Sequence, residues 1–360
     1  MLRDLPDHGG GRRWEGTMGT PMPPHHRWPI AALALVLGAA FAGGVWSMTL
    51  SPLEQHVASS GGASTPISVE HVSNAPPHRL RLGATVSGEG SVVADAAGTT
   101  WVLGEGTLST VADGVATVVA RGTWSDRAVL TPSNEGGLWI ASGRSLWMVS
   151  PYGAIGKRLQ PSVGSISSVL AVDGRTWVAG SNGMLAWIDP YTANTIQSYY
   201  LGKGTYQLAA TSGFVFVATS DPTQPPIVRL DPGIGATVPV PGAQPGPIAA
   251  ADGRLWWGTT GRVQCVVART LRRCGQLDVA SPSMLNVAAP TVVAAHGEAL
   301  WVVYAGTQGA DLALFDPSDG RTIAGPVRLP GSTVGSVTVN DSSAWVGMTD
   351  AGSVVQVDRT

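Results

Sequence analysis

The sequence predicts an all-β fold: a seven-bladed β-propeller preceded by one N-terminal transmembrane helix of the signal-anchor kind. Three observations carry that expectation: a repeat of forty or so residues, a composition rich in turn formers and poor in charge, and one apolar stretch near the N-terminus. The repeat is read from an apolar-aromatic-apolar motif centred on Trp101, Trp139, Trp177, Phe216, Trp256, Trp301 and Trp345. Successive centres lie 38, 38, 39, 40, 45 and 44 residues apart, with the extra length in loops. A period of that size, with several short strands per unit, points to a propeller whose repeats are four-stranded blades.

The strands of a unit follow in order. Strand A is short and apolar, as in SSVLAV or GPIAAA. A glycine turn such as Asp173-Gly174 or Asp252-Gly253 leads into strand B, which carries the aromatic. A variable loop precedes strand C (MLAWID, PIVRLD, DLALFD), and an Asp-Pro turn leads to strand D (NTIQSYYL, TIAGPVRL). Asp189-Pro190, Asp231-Pro232 and Asp316-Pro317 suit that turn because the carboxylate can accept from nearby backbone N–H groups and Pro presets φ. Six of the 13 Trp fall at the strand B centre, where a flat ring fills the wedge between blades and belongs to the core.

The two chain ends complete each other. After Trp345 the sequence supplies a strand C, SVVQVD, and reaches Thr360 without a strand D. HRLRLG at 78–83 matches the end of the sixth unit's GPVRLPG, so it is expected to serve as the missing outer strand and close the ring. Residues 76–360 are therefore expected to form one cooperative domain.

With 22 Lys+Arg against 24 Asp+Glu the chain has no basic excess, which argues against a nucleic-acid partner. Charged residues make up 13%, whereas Gly (47) and Pro (26) are abundant, as many short strands joined by tight turns require.

The stretch RWPIAALALVLGAAFAGGVWSMTL at 27–50 holds no charge between Pro29 and Val45. Residues 28–50 are predicted to be a transmembrane helix; a helical 28–48 alone would span about 31 Å, enough for a hydrocarbon core of about 30 Å. Trp28 and Trp46 stand near its ends, at headgroup level. Arg12, Arg13 and Arg27 precede it and no Lys or Arg occurs in 51–78, which predicts a cytoplasmic N-terminus and an extracytoplasmic propeller. The alternative is a leader cleaved after about Ala42, since Ala40-Phe41-Ala42 has the small-x-small form a peptidase uses. Residues 1–27 read as a disordered cytoplasmic tail and 51–75 as a Ser/Gly/Ala-rich linker. His8, His25, His26, His56 and His71 lie in these segments, without the rigid frame a metal site needs.

Cys265 and Cys274 fall on strands C and D of the fifth unit, on either side of the hairpin VVARTLRR. With the turn centred on Arg269 and Thr270 the two face each other at disulfide range, and an extracytoplasmic address favours the bond.

On VDGRTWVAGSNGMLAWIDPYTANTIQSYYLG and GEALWVVYAGTQGADLALFDPSDGRTIAGPVRLPG, the chain over 78–360 resembles bacterial extracytoplasmic seven-bladed propellers of the NHL and virginiamycin B lyase-like group. The lyases of that group use His and Glu from loops around one mouth of the channel, with a magnesium ion. Three positions after each strand B aromatic this chain has Gly104, Ser142, Gly180, Thr219, Thr259, Tyr304 and Met348, none of them acidic. His296 stands in AAHGEALW, aligned with Asp173 and Asp252 in the A to B turn, on the face away from the mouth, so no catalytic residue is carried over. Phosphate loops, zinc-spaced Cys/His sets and nucleophile elbows are lacking as well.

The mouth is expected to be built from D to A and B to C loops. Its candidate ligand-binding side chains are Glu89, Glu105, Asp126, Arg127, Arg144, Tyr206, Asp221, Tyr304, Gln308 and Asp350. Mixed charge with two tyrosines suits a polar ligand or a peptide loop, and the long loops of units four and six are the natural recognition insertions. The sequence thus favours a membrane-anchored, non-enzymatic recognition or sensor scaffold for a protein or cell-envelope ligand, with no cofactor. The alternative is a metal-dependent lyase-like enzyme acting on a cyclic peptide or envelope substrate through carboxylates such as Glu89 and Glu105.

Overall fold

Strands of four to eight residues, each with one apolar face, cannot bury that face alone; stacked radially, seven small sheets bury it against one another. The computed structural model describes residues 79–87, 92–125, 128–259, 262–278, 290–296, 299–306, 309–318, 321–340 and 342–360. The expected tail 1–27, transmembrane helix 28–50 and linker 51–75 lie outside these residues. Seven antiparallel sheets are present, six of four strands and one of three. Within each, neighbours in sequence are neighbours in space, apart from the sheet that joins the chain ends. The innermost strands of successive blades adjoin around the full circle, blade seven against blade one included.

The A to B connections show why the chain turns where it does. Ala97-Gly98, Asp173-Gly174, Ser212-Gly213 and Asp252-Gly253 all have both residues at positive φ, the two-residue hairpin turn whose twist matches the flanking strands. Asp189, Asp231 and Asp316 act at the C to D turns as expected: their carboxylates accept the backbone N–H of Tyr191 at 2.9 Å, Gly233 at 2.9 Å and Ser318 at 2.8 Å respectively. The strand B aromatics are core, from fully buried Trp177 and Phe216 to Trp345 at 6% exposure.

Polar side chains on the inner strands tie the blades together. Ser336 Oγ and Thr338 Oγ1 of blade seven accept the backbone N–H groups of Val93 and Asp95 of blade one, at 2.9 and 3.1 Å. Both pairs are two residues apart, the spacing at which one edge of a strand repeats. Gln207 makes the equivalent link from blade four to blade five, donating to the Ile248 carbonyl and accepting its N–H, both at 3.1 Å. Thr131 Oγ1 donates to the Val169 carbonyl at 3.1 Å between blades two and three. Inner-edge backbone groups, which have no second neighbouring strand in their own sheet, thereby gain partners from the adjacent blade.

The last blade is completed by the first strand. Leu80–Ser87 pairs antiparallel with Ser353–Arg359, outside Ser343–Met348 and Val334–Val339. The strand runs further than the expected 78–83, and its register shifts between Leu82 and Thr85, where Gly83 and Ala84 bulge opposite Gln356. Arg79 and Thr360 exchange two backbone hydrogen bonds at 3.1 and 2.9 Å, sealing the chain ends.

Blade two departs from the four-stranded expectation. Its sheet comprises only Val129–Pro132, Leu138–Ser142 and Ser145–Val149. The outer position is taken by an irregular segment that makes two isolated bridges, Leu146 to Leu159 and Val149 to Ile155. Pro151 and Pro161 cannot donate to a ladder, and Gly153 sits at φ 84°, so this stretch cannot run as one strand.

The Cys265–Cys274 disulfide is formed, with Cα atoms 5.4 Å apart. The turn is Val267 to Arg272 rather than a tight hairpin, and Cys274 is the bulged residue between the Cys265–Gly275 and Val266–Arg273 pairs. His296 ends strand A of blade six paired with Ala299, so it aligns with Val172, which pairs with Arg175, and not with Asp173. It still lies at the A to B end of its blade.

Two outcomes test the closure and the crosslink. Val86 on the closing strand is 5% exposed in the cluster with Val93, Val102 and Trp345. Val86→Asp should cost about 3 kcal/mol or more in urea unfolding, whereas the exposed Arg81→Ala should stay within about 0.5 kcal/mol. Reducing the disulfide, which closes a loop with a sequence separation of 9, should lower stability by at most about 3 kcal/mol in differential scanning calorimetry.

Candidate functional site

In an up-and-down blade the B to C and D to A connections share one face, and the A to B and C to D connections share the other. The mouth face therefore holds the loops singled out from sequence. Its rim is fastened by a recurring clasp, in which a short polar side chain on the B to C turn accepts the backbone N–H of the incoming D to A loop. Ser142 Oγ accepts from Ser125 at 3.1 Å, Ser181 Oγ from Ser165 at 3.0 Å, and Ser220 Oγ from Thr205 at 3.1 Å. In blade seven a carboxylate takes the same place: Asp350 accepts from Ser332 N–H and from Ser332 Oγ, both at 2.7 Å.

Those bonds explain the electrostatics of the mouth carboxylates. The backbone N–H of Ser332, then its hydroxyl, hold the Asp350 carboxyl down at about 2. Asp221 is also held below its ordinary value, by the Thr223 hydroxyl at 2.7 Å and the Thr223 N–H at 2.9 Å. Both are turn-forming anions, ill suited to donate a proton at neutral pH.

Glu105 and Arg144 are exposed on the B to C turns of blades one and two. Tyr206 and Tyr304 are buried rather than solvated, at 5% and 2% exposure. Tyr304 packs in the cluster with Trp256, Val263 and Leu300, its hydroxyl finds no acceptor among the described residues, and burial raises its pKa. Glu89, Asp126, Arg127 and Gln308 lie outside the described residues. Among the described residues no group of three or more His, Cys, Asp or Glu side chains gathers as a metal would require.

A cavity opens at this face, between blades three and four. It measures about 170 Å³, and Tyr200, Tyr206, Thr219, Gln224, Pro225 and Thr237 are among its lining. The loop 220–226 of blade four forms one wall and is held rigidly. Asp221 N–H donates to Thr219 Oγ1 at 3.1 Å, Gln224 N–H to the Asp221 carbonyl at 3.2 Å, and Thr219 N–H to the Pro226 carbonyl at 3.0 Å. Gly202, at φ 90°, lies under this loop, where a Cβ would stand 2.6 Å from Gln224 Cγ. The Tyr206 hydroxyl donates to the Gly202 carbonyl, and burial, then the Asp221 charge, raise its pKa. Tyr200, 65% exposed at the mouth end of strand D, forms the outer lip.

Sequence reasoning found Tyr206 and Asp221 but missed Tyr200, Gln224 and Pro225. The available signal was Tyr199-Tyr200 at the end of an outer strand, where a solvent-facing position carries a large ring.

The fold and this face define the molecule as a seven-bladed β-propeller. No family model and no curated protein matches the sequence. Solved structures do match in fold. The WD40 propeller domain of Doa1 superposes with a TM-score of 0.60 at 14% identity, covering 78% of this chain and 97% of that one. BamB from Moraxella catarrhalis gives 0.50 at 12%, covering 78% and 99%. The computationally designed Ika8 gives 0.56 at 11%, covering 78% and 100%. At such identities the likeness is one of architecture.

The blade-seven clasp carries its own pH test. Because the folded state lowers the Asp350 pKa, its contribution is complete above the ordinary value of 3.8 and is lost as pH falls through about 2. The Ser332 amide resonance should therefore titrate with a midpoint near 2, and a midpoint near 4 would show that the clasp is absent in solution.

Proposed function

We propose that this chain is a membrane-anchored, extracytoplasmic recognition propeller that binds a protein partner or cell-envelope ligand on its mouth face. The observation that carries the reading is the cavity between blades three and four, in which Tyr200 and Tyr206 face a proline-bearing loop pinned by its own hydrogen bonds. Aromatic rings give contact area at little entropic cost, and a preformed loop avoids the cost of ordering on binding. The apolar stretch 28–50 and the cationic residues before it support the anchor and the orientation.

A photocrosslinking residue at position 200 of the full-length protein, expressed in its membrane, tests the site. It should capture one discrete envelope component, and the yield should fall about tenfold or more when residues 221–225 are replaced by a short Gly-Ser turn. Equal capture by both forms removes the site. A phosphatase fused after Thr360 should be active, as an extracytoplasmic C-terminus requires; inactivity removes the orientation. The lyase-like alternative instead requires magnesium to raise the melting temperature and Glu105→Gln to abolish that rise, since a ligand of the folded state must stabilise it.

A further inference from the structure

Blade five breaks the internal pattern of the propeller at one place. The residue after each strand B aromatic is Val102, Ile140, Val178, Val217, Val302 or Val346 in six blades, and Trp257 in the fifth. Its strand C partner is Gln264, where the other blades place Ser109, Trp147, Ala186, Val228, Ala313 and Val355. Gln264 in turn pairs with Gln276 on strand D. A row of Trp, Gln and Gln thus crosses three strands on the face toward blade four, where Trp257 packs with Phe216, Ile227 and Val240.

A cavity of about 360 Å³ lies against this row, lined by Trp257, Gln264, Gln276, Arg273 and the disulfide pair Cys265 and Cys274. Trp257 is fully buried, and its indole N–H, without accessible surface of its own, has no hydrogen-bond partner among the described residues. Trp101 and Trp177 carry the same orphan donor, but only Trp257 belongs to this wall. Arg273 is exposed and makes no ion pair or hydrogen bond with the described residues; its guanidinium lies against Gly242, where a Cβ would stand 2.6 Å from Nη2. Among the described residues no carboxylate lines the cavity.

We propose that this cavity on blade five binds a small organic monocarboxylate. Arg273 would take the carboxylate oxygens with its planar fork, and the Gln264 amide would donate beside it. A single cation among neutral donors matches one negative charge better than two, which favours a carboxylate over a phosphate. The site is separate from the mouth-face cavity.

Isothermal titration of the full-length protein in detergent micelles tests it, with N-acetylphenylalanine and N-acetylglycine as probes and N-acetylphenylalaninamide and inorganic phosphate as controls. At least one carboxylate should bind saturably at one site, with both controls about tenfold or more weaker. Arg273→Gln and Gln264→Leu should each weaken the carboxylate about tenfold without changing the melting temperature of the free protein, because neither side chain is core. The proposal is overturned by the absence of saturable binding at millimolar carboxylate, by an amide or phosphate that binds as well, or by unchanged affinity in both variants. Mouth-face crosslinking at position 200 reads a different site, so either result can fail without the other.

Discussion

The antiparallel pairing of Leu80–Ser87 with Ser353–Arg359 is the constraint on which the rest of the molecule depends. Without it the seventh sheet would expose an unpaired edge, and the wheel would be an open stack free to fray from either end. With it, each inner strand has a neighbour on both sides, and the Ser336, Thr338 and Gln207 links between inner strands all hold in one geometry. Closure converts seven weak sheets into one cooperative body, because no blade can leave without breaking contacts with two others.

That rigidity accounts for what the two faces can carry. The clasps from Ser142, Ser181, Ser220 and Asp350 use short polar residues of the mouth to fasten loops, so these side chains serve structure. What remains for recognition sits where a loop is longer or a strand breaks the pattern. The first such place is the Pro-rich loop of blade four beside Tyr200 and Tyr206. The second is the Trp257–Gln264–Gln276 row of blade five.

The repeat was legible because its physical causes are local. Trp177 is buried for the same reason as Trp101 and Trp139, one large ring per wedge, and Asp189 and Asp316 cap turns a few residues away. Blade two was not legible in this way. Its strand B motif is intact, but whether 150–163 can form an outer strand depends on Pro and Gly placement against a partner the sequence does not display. His296 was misaligned by one residue for a similar reason, since only the pairing with Ala299 fixes the register of its hairpin.

The sequence by itself determined the blade number, the closing segment and the disulfide partners. These follow from periodicity and turn chemistry, which act over a few residues. The tertiary structure decided which mouth residues are free to meet a ligand. It buried Tyr206 and Tyr304, spent Asp221 and Asp350 on turns, and brought Gln224 and Pro225 of one blade against Tyr200 of another. Burial and juxtaposition across blades depend on side chains some 20 to 40 residues apart meeting in a wedge, and no local pattern encodes that distance.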